Sequence, residues 1–384
     1  MNLPRGRYDV AIVGGGPAGS ALAAFLARGG RDVALFERDV FPRDKLCGEF
    51  LSHDARGLLK TLGCLDAVLT AGPAIIERAR FYSLGGRALT LTLPGPALGL
   101  SRRALDKILL ANARRAGAQV WEGASVQRLR APAGAEPFLD LELAARPRRV
   151  QARTIVGAYG RRDALDRQLG RRFVGRRHPF AGLQRHSRPR DSAAGRRLAS
   201  ELSGSVEMHL FDGGYCGVSL IEGGRVNVCM LLSKPLLAAL PSPQWEGVCA
   251  GLSSRSPVLR GRLEALEPCG EAVQAVGQVP FDSKEAAIGP VLFVGDSAGM
   301  IAPLCGDGQA MALRSALSLA ETLEGPPDGL GPAWERRWRG EFAGPLRRAR
   351  LLQHAALTPA AAEALIMSCL AFPGLGRFFF HATR

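Results

Sequence analysis

The sequence predicts an α/β fold in which a parallel sheet, assembled from separated pieces of chain, is interleaved with an antiparallel sheet. Three observations carry this reading. An apolar strand runs into the turn Gly14-x-Gly16-x-x-Gly19, a second runs into Gly295-Asp296 near the other end, and the chain between them is rich in hairpin-like segments.

The run Tyr8-Asp9-Val10-Ala11-Ile12-Val13 is short, β-branched and bounded by glycines, as a buried parallel strand should be. Ala18 to Ala27 then reads as a helix with Leu22, Phe25 and Leu26 on one face, and Gly29-Gly30 end it. Asp32 to Glu37 returns as the next strand, completing a βαβ unit that requires a parallel sheet and a right-handed crossover. A second helix and strand follow at Ala104 to Arg115 and Gln119 to Trp121, and another strand at Thr154 to Gly157. Arg78 to Leu93 reads as a hairpin turning at Gly85-Gly86, and Gly134 to Ala152 as a further strand pair. From Val206 to Val279 the pattern is strand-rich, with turns at Gly213-Gly214 and Gly223-Gly224, before Val291 to Val294 supplies a last buried strand. Arg185 to Arg197, full of Arg, Ser, Pro and Ala, is expected to be a mobile surface loop. Gly325 to Gly329 is expected to turn before the C-terminal helices. The chain thus divides into nucleotide-binding pieces at 1–75, 101–160 and 281–330, a second domain at 76–100 and 161–280, and a helical segment at 331–384.

A net charge of +15 comes almost entirely from arginine, a balance consistent with coding bias toward GC-rich codons. The clusters Arg171-Arg172, Arg176-Arg177 and Arg336-Arg337 lack interleaved stacking aromatics, so nucleic-acid binding is not expected. Positive charge favours an anionic dinucleotide or an acidic membrane surface, and does not choose between them. The eight cysteines show neither CxxC spacing nor a paired framework, so neither a metal site nor a disulfide scaffold is expected. No run of about 18 uncharged apolar residues occurs, and Met1 to Arg5 has no signal-like apolar region, so the expected location is cytoplasmic. Nothing in the sequence specifies an oligomeric state.

The glycines of the first motif serve separate ends. Gly14 permits a tight turn, Gly16 lets backbone approach a pyrophosphate, and Gly19 lets helix pack closely on strand. The helix N-terminus then offers free N–H groups and the positive end of its dipole to phosphate. Glu37, at the end of the next strand, can accept hydrogen bonds from a ribose diol and disfavours a 2′-phosphate, which points to FAD or NAD in a Rossmann-type site. In Gly295-Asp296-Ser297-Ala298-Gly299, a carboxylate at a strand end can bind a ribityl hydroxyl. The following Gly306-Asp307-Gly308-Gln309 turn can bring N–H donors to a flavin pyrimidine.

With both motifs present, the sequence from about Tyr8 to Glu324 resembles the flavoprotein superfamily of p-hydroxybenzoate hydroxylase, the FAD-dependent halogenases and the geranylgeranyl reductases. The resemblance implies that Arg102, in Ser101-Arg102-Arg103-Ala104-Leu105-Asp106, contacts FAD. It implies further cofactor contacts from Pro17, Ala18, Arg38, Cys47, Gly48, Val126, Gly160, Gly306, Gly308 and Gln309. Pro42-Arg43-x-Lys45-x-Cys47-Gly48 is similar to a stretch of the geranylgeranyl reductase branch that lies against the isoalloxazine, which makes Cys47 the candidate catalytic residue. In Gly157-Ala158-Tyr159-Gly160-Arg161, Tyr159 replaces the family's usual aspartate, and the Trp-x-Trp-x-Ile-Pro element of tryptophan halogenases is absent, so indole halogenation is not expected. The histidines and remaining carboxylates show no pairing that suggests an acid/base dyad.

The resemblance implies first a monooxygenase working through a flavin C4a-hydroperoxide on a hydrophobic, aromatic or polyketide-like substrate, with NAD(P)H as transient electron donor. Its second implication is an ene-reductase delivering hydride from flavin N5, with Cys47 assisting protonation. A non-redox binding protein on the same fold, as in the Rab GDP-dissociation inhibitors, is the third. The apolar tail from Ala360 to Phe380, broken at Pro373-Gly374, is expected to pack over the core, line a substrate entrance or rest on a membrane surface.

Overall fold

The computed structural model describes residues 3–132, 135–270, 272–281, 283–326 and 329–384. Gly134, where the second strand pair was expected to start, and Pro327 and Asp328 of the expected Gly325 to Gly329 turn lie outside the described residues.

The first sheet is built on five parallel strands in the order Val291–Phe293, Arg146–Gly157, Arg7–Val13, Val33–Glu37 and Gln119–Glu122. Their central residues, from Ile12 to Leu35, Val156 and Leu292, are apolar and fully buried because helices cover both faces. Arg146–Gly157 is a single long strand. Its first half pairs antiparallel with Phe138–Leu143 and its second half parallel with Arg7–Val13, so two expected strands are one.

The second sheet runs Leu266–Pro268, Phe180–Pro189, Val226–Ser233, Gly214–Leu220, Gly204–Phe211, Ala74–Tyr82, Ala88–Gly99 and Phe50–Leu51. It is antiparallel except where Gly204–Phe211 lies parallel to Ala74–Tyr82. Phe50–Leu51 pairs with Leu98–Gly99, so the short piece of chain after the Cys47 turn belongs to this sheet and not to the first.

Two expectations are corrected. Arg185 to Arg197 is not a loop. Phe180–Pro189 is a strand paired on both sides, burying Gln184, His186 and Ser187, and Ala193–Leu202 is a helix capped by Ser192 that buries Leu198 and Leu202 four residues apart. Arg188, Arg196 and Arg197 are the solvent-facing members of these elements, so composition misled where periodicity decides. The strand-rich reading of Val206 to Val279 fits its strands but missed three helices, Lys234–Ala238, Trp245–Ser253 and Pro257–Glu264, whose Val248, Leu252 and Leu259 pack in one core with the sheet.

The C-terminal helices Gly344–Ala356, Pro359–Ala371 and Pro373–Ala382 cover the remaining part of the second sheet, where Ala356, Ile366 and Cys369 pack against Leu89, Leu210 and Leu231. Trp334 and Trp338 lie one turn apart in Leu330–Trp338, both buried, and Trp334 Nε1 donates to the Phe293 carbonyl at 2.9 Å. This helix therefore locks the last strand of the first sheet in place.

Candidate functional site

The two sheets face each other across a cavity of about 840 Å³. One half is walled by the carboxyl ends of the parallel strands, where open α/β sheets bind ligands. The other half is walled by apolar side chains of the second sheet and C-terminal segment, including Phe81, Leu93, Met208, Leu231 and Phe380, together with Met300 from the loop after the Asp296 turn.

The first glycine turn explains each glycine by what a side chain would meet. Gly14 has a φ of +109° and an added Cβ would lie 2.5 Å from the Ala158 carbonyl oxygen; at Gly19 it would lie 1.9 Å from the Gly14 oxygen. These are contacts within the protein, and Gly19 does not line the cavity. A Cβ on Gly16 would instead point into the cavity, with Arg102 Nη2 at 3.7 Å as its nearest neighbour. Gly16 is the N-cap of helix Pro17–Arg28, with Pro17 in its first turn and no side chain capping it, so its free N–H groups face the cavity.

Glu37 is buried at the cavity edge. Its Oε2 accepts from Gly15 N at 2.6 Å and its Oε1 from Asp39 N at 2.9 Å, so it also fixes the glycine turn. Beside it stands a wall of cations. Arg102 donates to both oxygens of the buried Asp106 at 2.7 Å, and Arg43 Nη1 reaches the same carboxylate at 3.0 Å. Burial works against the Arg102 charge, but the Asp106 carboxylate outweighs it and holds the guanidinium above its ordinary range. Lys45 lines the same wall. Burial, with Arg43, Arg102, Arg38 and Arg161 adding to it, pushes its ammonium down to about 8. Arg38 stands at the rim, exposed, 3.7 Å from Asp163. Val126, Gly160, Asp296, Gly306, Gly308 and Gln309 complete this half. Gly295 does not line the cavity; its φ of +57° lets the chain turn beneath Asp296, and a Cβ there would meet Ala18 Cβ at 2.8 Å.

Cys47 sits where the two halves meet. Its Sγ accepts from Gln309 Nε2 at 3.1 Å and from Glu49 N at 3.3 Å, while its backbone is held by Gln184 Oε1 and Asn227 Nδ2 at 3.1 Å each. Glu49, buried with a left-handed φ of 54°, accepts from Arg102 N at 2.9 Å and faces His186 Nε2 at 2.6 Å. Burial raises the Glu49 carboxyl, opposed by its His186 hydrogen bond. The expectation that no histidine pairs with a carboxylate is therefore corrected twice, by Glu49 with His186 and by Glu207 with His209 at 3.2 Å. Glu49 and His186 are 137 positions apart and meet only because the Cys47 loop crosses to the second sheet. Glu207 and His209 share a face of one strand, and their two-residue spacing was readable.

Tyr159, in place of the usual aspartate, donates its hydroxyl to the buried Asp166 at 2.7 Å, and Arg171 reaches the same oxygen at 2.9 Å. Lys284 was not anticipated. Its Nζ donates to the carbonyls of Arg161 and Asp296 at 2.6 Å each, tying the two glycine turns together. Isolated in sequence and outside any motif, it gave no signal.

Strand ends, a helix N-terminus and a cationic wall around one cavity define a dinucleotide-binding protein. The FAD binding domain family matches residues 7–205, more than half of the chain, and the protein belongs to that family of flavoenzymes. Menaquinone reductase of Mycobacterium tuberculosis is 28% identical over 350 residues, 82% of this chain and 76% of the relative. Tryptophan 2-halogenase of Chondromyces crocatus is 34% identical over 135 residues, 34% of this chain and 25% of the relative. In fold, the chain is similar to a flavin-dependent brominase, with a TM-score of 0.78 and 18% identity, covering 98% of this chain and 93% of the other. It is also similar to a geranylgeranyl bacteriochlorophyll reductase-like protein from Thermoplasma acidophilum, at 0.76 and 20%, covering 94% and 90%.

The residues present fit FAD. A Cβ at Gly16 would fill the space that a pyrophosphate needs, cations crowd one wall, and Gln309 Oε1 is buried without a hydrogen-bond partner in the other. Among the described residues no single helix is long and apolar enough to cross a membrane.

Proposed function

We propose that this protein is an FAD-dependent reductase of a carbon–carbon double bond in an elongated apolar substrate of the menaquinone class. The carrying observation is the position of Cys47. Its Sγ accepts from Gln309 and from the Glu49 N–H, lies within reach of the Arg102 side chain, and lines the cavity at the border of the cofactor half and the apolar half. This puts the reductase ahead of the monooxygenase, the reverse of the order that the family resemblance implied and in line with the Cys47-Gly48 motif. A relative named menaquinone reductase, covering 82% of this chain, supports the same order.

Arg102, Arg43, Lys45 and the N-terminus of helix Pro17–Arg28 would hold the pyrophosphate, Glu37 the adenosine ribose and Asp296 the ribityl chain. Gly306, Gly308 and Gln309 would meet the pyrimidine edge. Bound there, the flavin supplies a hydride. Cys47 Sγ supplies the proton to the neighbouring carbon, and the buried Gln184–Asn227 pair keeps its loop in place. Phe81, Met208, Leu231 and Phe380 exclude water and orient an apolar chain.

The test is anaerobic single turnover. The photoreduced protein is mixed with menaquinone, and flavin absorbance is followed. Reoxidation without oxygen, giving a product that still carries two added hydrogens after its quinone ring is reoxidised in air, and slowed about 10²–10⁴-fold in Cys47→Ala with FAD content unchanged, is the expected result; a product that returns to menaquinone in air refutes double-bond reduction. A protein reoxidised only by oxygen is instead a monooxygenase, the reading that the water-excluding apolar wall also suits.

A further inference from the structure

We infer that the C-terminal helices form a docking face for an anionic lipid bilayer and that the last of them leads from that face to the cavity. Helix Pro359–Ala371 is apolar all round. Ala362, Ile366 and Cys369 are buried, yet the outward side carries Ala360, Ala364, Met367, Leu370 and Ala371, with Ser368 its one polar residue. Its one charge, Glu363, is engaged by Arg87 at 2.6 Å. A helix of this kind is normally covered on every side. Phe372 and Phe378, at 67% and 63% exposure, extend the uncovered surface beyond the end of this helix, and Leu351, at 67%, lies on the preceding one. Large aromatic groups are rarely left in water at that level without a partner.

Charge decides the partner. Of the eight arginines between 330 and 384, Arg337, Arg339 and Arg384 are paired with carboxylates, whereas Arg347 and Arg348 are exposed with no carboxylate partner among the described residues. Arg348 Nε donates to the Ala382 carbonyl, which places the start of helix Gly344–Ala356 beside the end of helix Pro373–Ala382. Exposed Arg347 adjoins that junction without a carboxylate partner among the described residues. A second copy on this face would bring two arginine rims together, whereas an anionic surface neutralises one. Beside the helix lies a cavity of about 380 Å³ lined by Leu84, Leu210, Phe211, Ala356 and Ala362, with the Arg87-paired Glu363 at its wall, a mostly apolar space for the end of an acyl chain.

The face is continuous with the site. In helix Pro373–Ala382, Phe378 is exposed while Phe380, two residues on, lines the large cavity. An apolar substrate dissolved in the bilayer can follow this helix inward without crossing water. That route rests on the proposed function; the lipid contact does not.

The experiment is co-sedimentation of the FAD-loaded protein with vesicles of phosphatidylglycerol or of phosphatidylcholine, at low and high salt. Binding to phosphatidylglycerol that weakens with salt is expected, reduced at least about tenfold in Leu370→Asp/Phe372→Asp and several-fold in Arg347→Gln. Unchanged FAD content and melting temperature show that the variants fold. Their reduction of detergent-dispersed menaquinone should match wild type, so loss of vesicle binding is read apart from loss of the proposed reaction. Three results overturn the inference: no sedimentation with either vesicle, binding indifferent to both variants, or a wild-type dimer in sedimentation velocity that Leu370→Asp/Phe372→Asp converts to monomer.

Discussion

Replacing Lys284 by methionine or by arginine asks what a buried ammonium contributes to a cofactor site that it does not line. Its Nζ bridges the Arg161 and Asp296 carbonyls at 2.6 Å and lies 4.4 Å from the Phe173 ring. Burial pushes its pKa down to about 8, with Asp296 opposing and Arg171 adding. The fall from 10.5 to about 8 corresponds to about 3 kcal/mol held against the charged form. Two hydrogen bonds from a charged donor return about 1.5–3 kcal/mol each. Lys284→Met should therefore destabilise the apoprotein by only about 0–3 kcal/mol, since the lost bonds and the relieved burial nearly offset. Between about pH 8 and 10.5 the folded state holds fewer protons here than the unfolded state, so this group's contribution to apoprotein stability rises with pH. FAD affinity should move the other way. Above about pH 8 the amine still donates but without charge assistance, and the two turns that face the flavin loosen. Wild-type affinity is expected to fall about tenfold as pH rises through that value, equivalent to about 1.4 kcal/mol. Lys284→Arg, always charged, should show no such fall, and Lys284→Met should be weak and flat with pH. Titration of apoprotein with FAD, read by flavin fluorescence across this range, measures all three. A methionine variant that binds FAD as the wild type does at pH 7, or an arginine variant with the wild-type pH profile, refutes the clamp.

Gly16→Ala should leave the apoprotein's melting temperature near wild type yet abolish flavin retention, because its Cβ meets only Arg102 Nη2 at 3.7 Å; Gly19→Ala should fail to fold, its Cβ falling 1.9 Å from the Gly14 oxygen. Asp296→Ala should weaken FAD binding by about 1.5–3 kcal/mol, and Glu37→Ala by at least as much because the Gly15 N–H also loses its acceptor; full flavin occupancy in both would exclude the assigned site. Arg102→Met should cost about 3–5 kcal/mol in urea unfolding by leaving Asp106 to Arg43 alone, and Arg102→Met/Asp106→Leu should recover part of that loss; additive losses would show that the pair is not the source.

The parallel strands and both glycine turns were legible because each is a local pattern: an apolar run of strand length, then glycines at fixed spacing. The cavity's cofactor half followed from them, with Gly19 and Gly295 the exceptions, since a glycine needed for packing and one needed by a ligand look the same in sequence. Helix Ala193–Leu202 was hidden by composition, although Ser192 and the Leu198–Leu202 spacing marked it. The Glu49–His186 contact and the Lys284 clamp were not legible at all. Each depends on where distant segments cross, and nothing local to residues 49, 186 or 284 reports a crossing. The single parallel pairing in the second sheet, between Gly204–Phe211 and Ala74–Tyr82, is of the same kind.

The last strand of the first sheet carries a consequence for how the molecule is made. Val291–Phe293 pairs with Ile155–Gly157, and the helix that locks it, Leu330–Trp338, comes later still. Until about three-quarters of the chain has left the ribosome, the edge of Arg146–Gly157 that awaits this strand is open and the Asp296 turn is absent, and the locking helix follows only at about nine-tenths. Pairings at such long sequence separation form slowly and leave apolar edges exposed meanwhile. A newly synthesised chain therefore passes through a long interval with its glycine turn already formed and its nucleotide cleft half built. Free FAD present during synthesis should raise the yield of native protein more than the same FAD added afterwards.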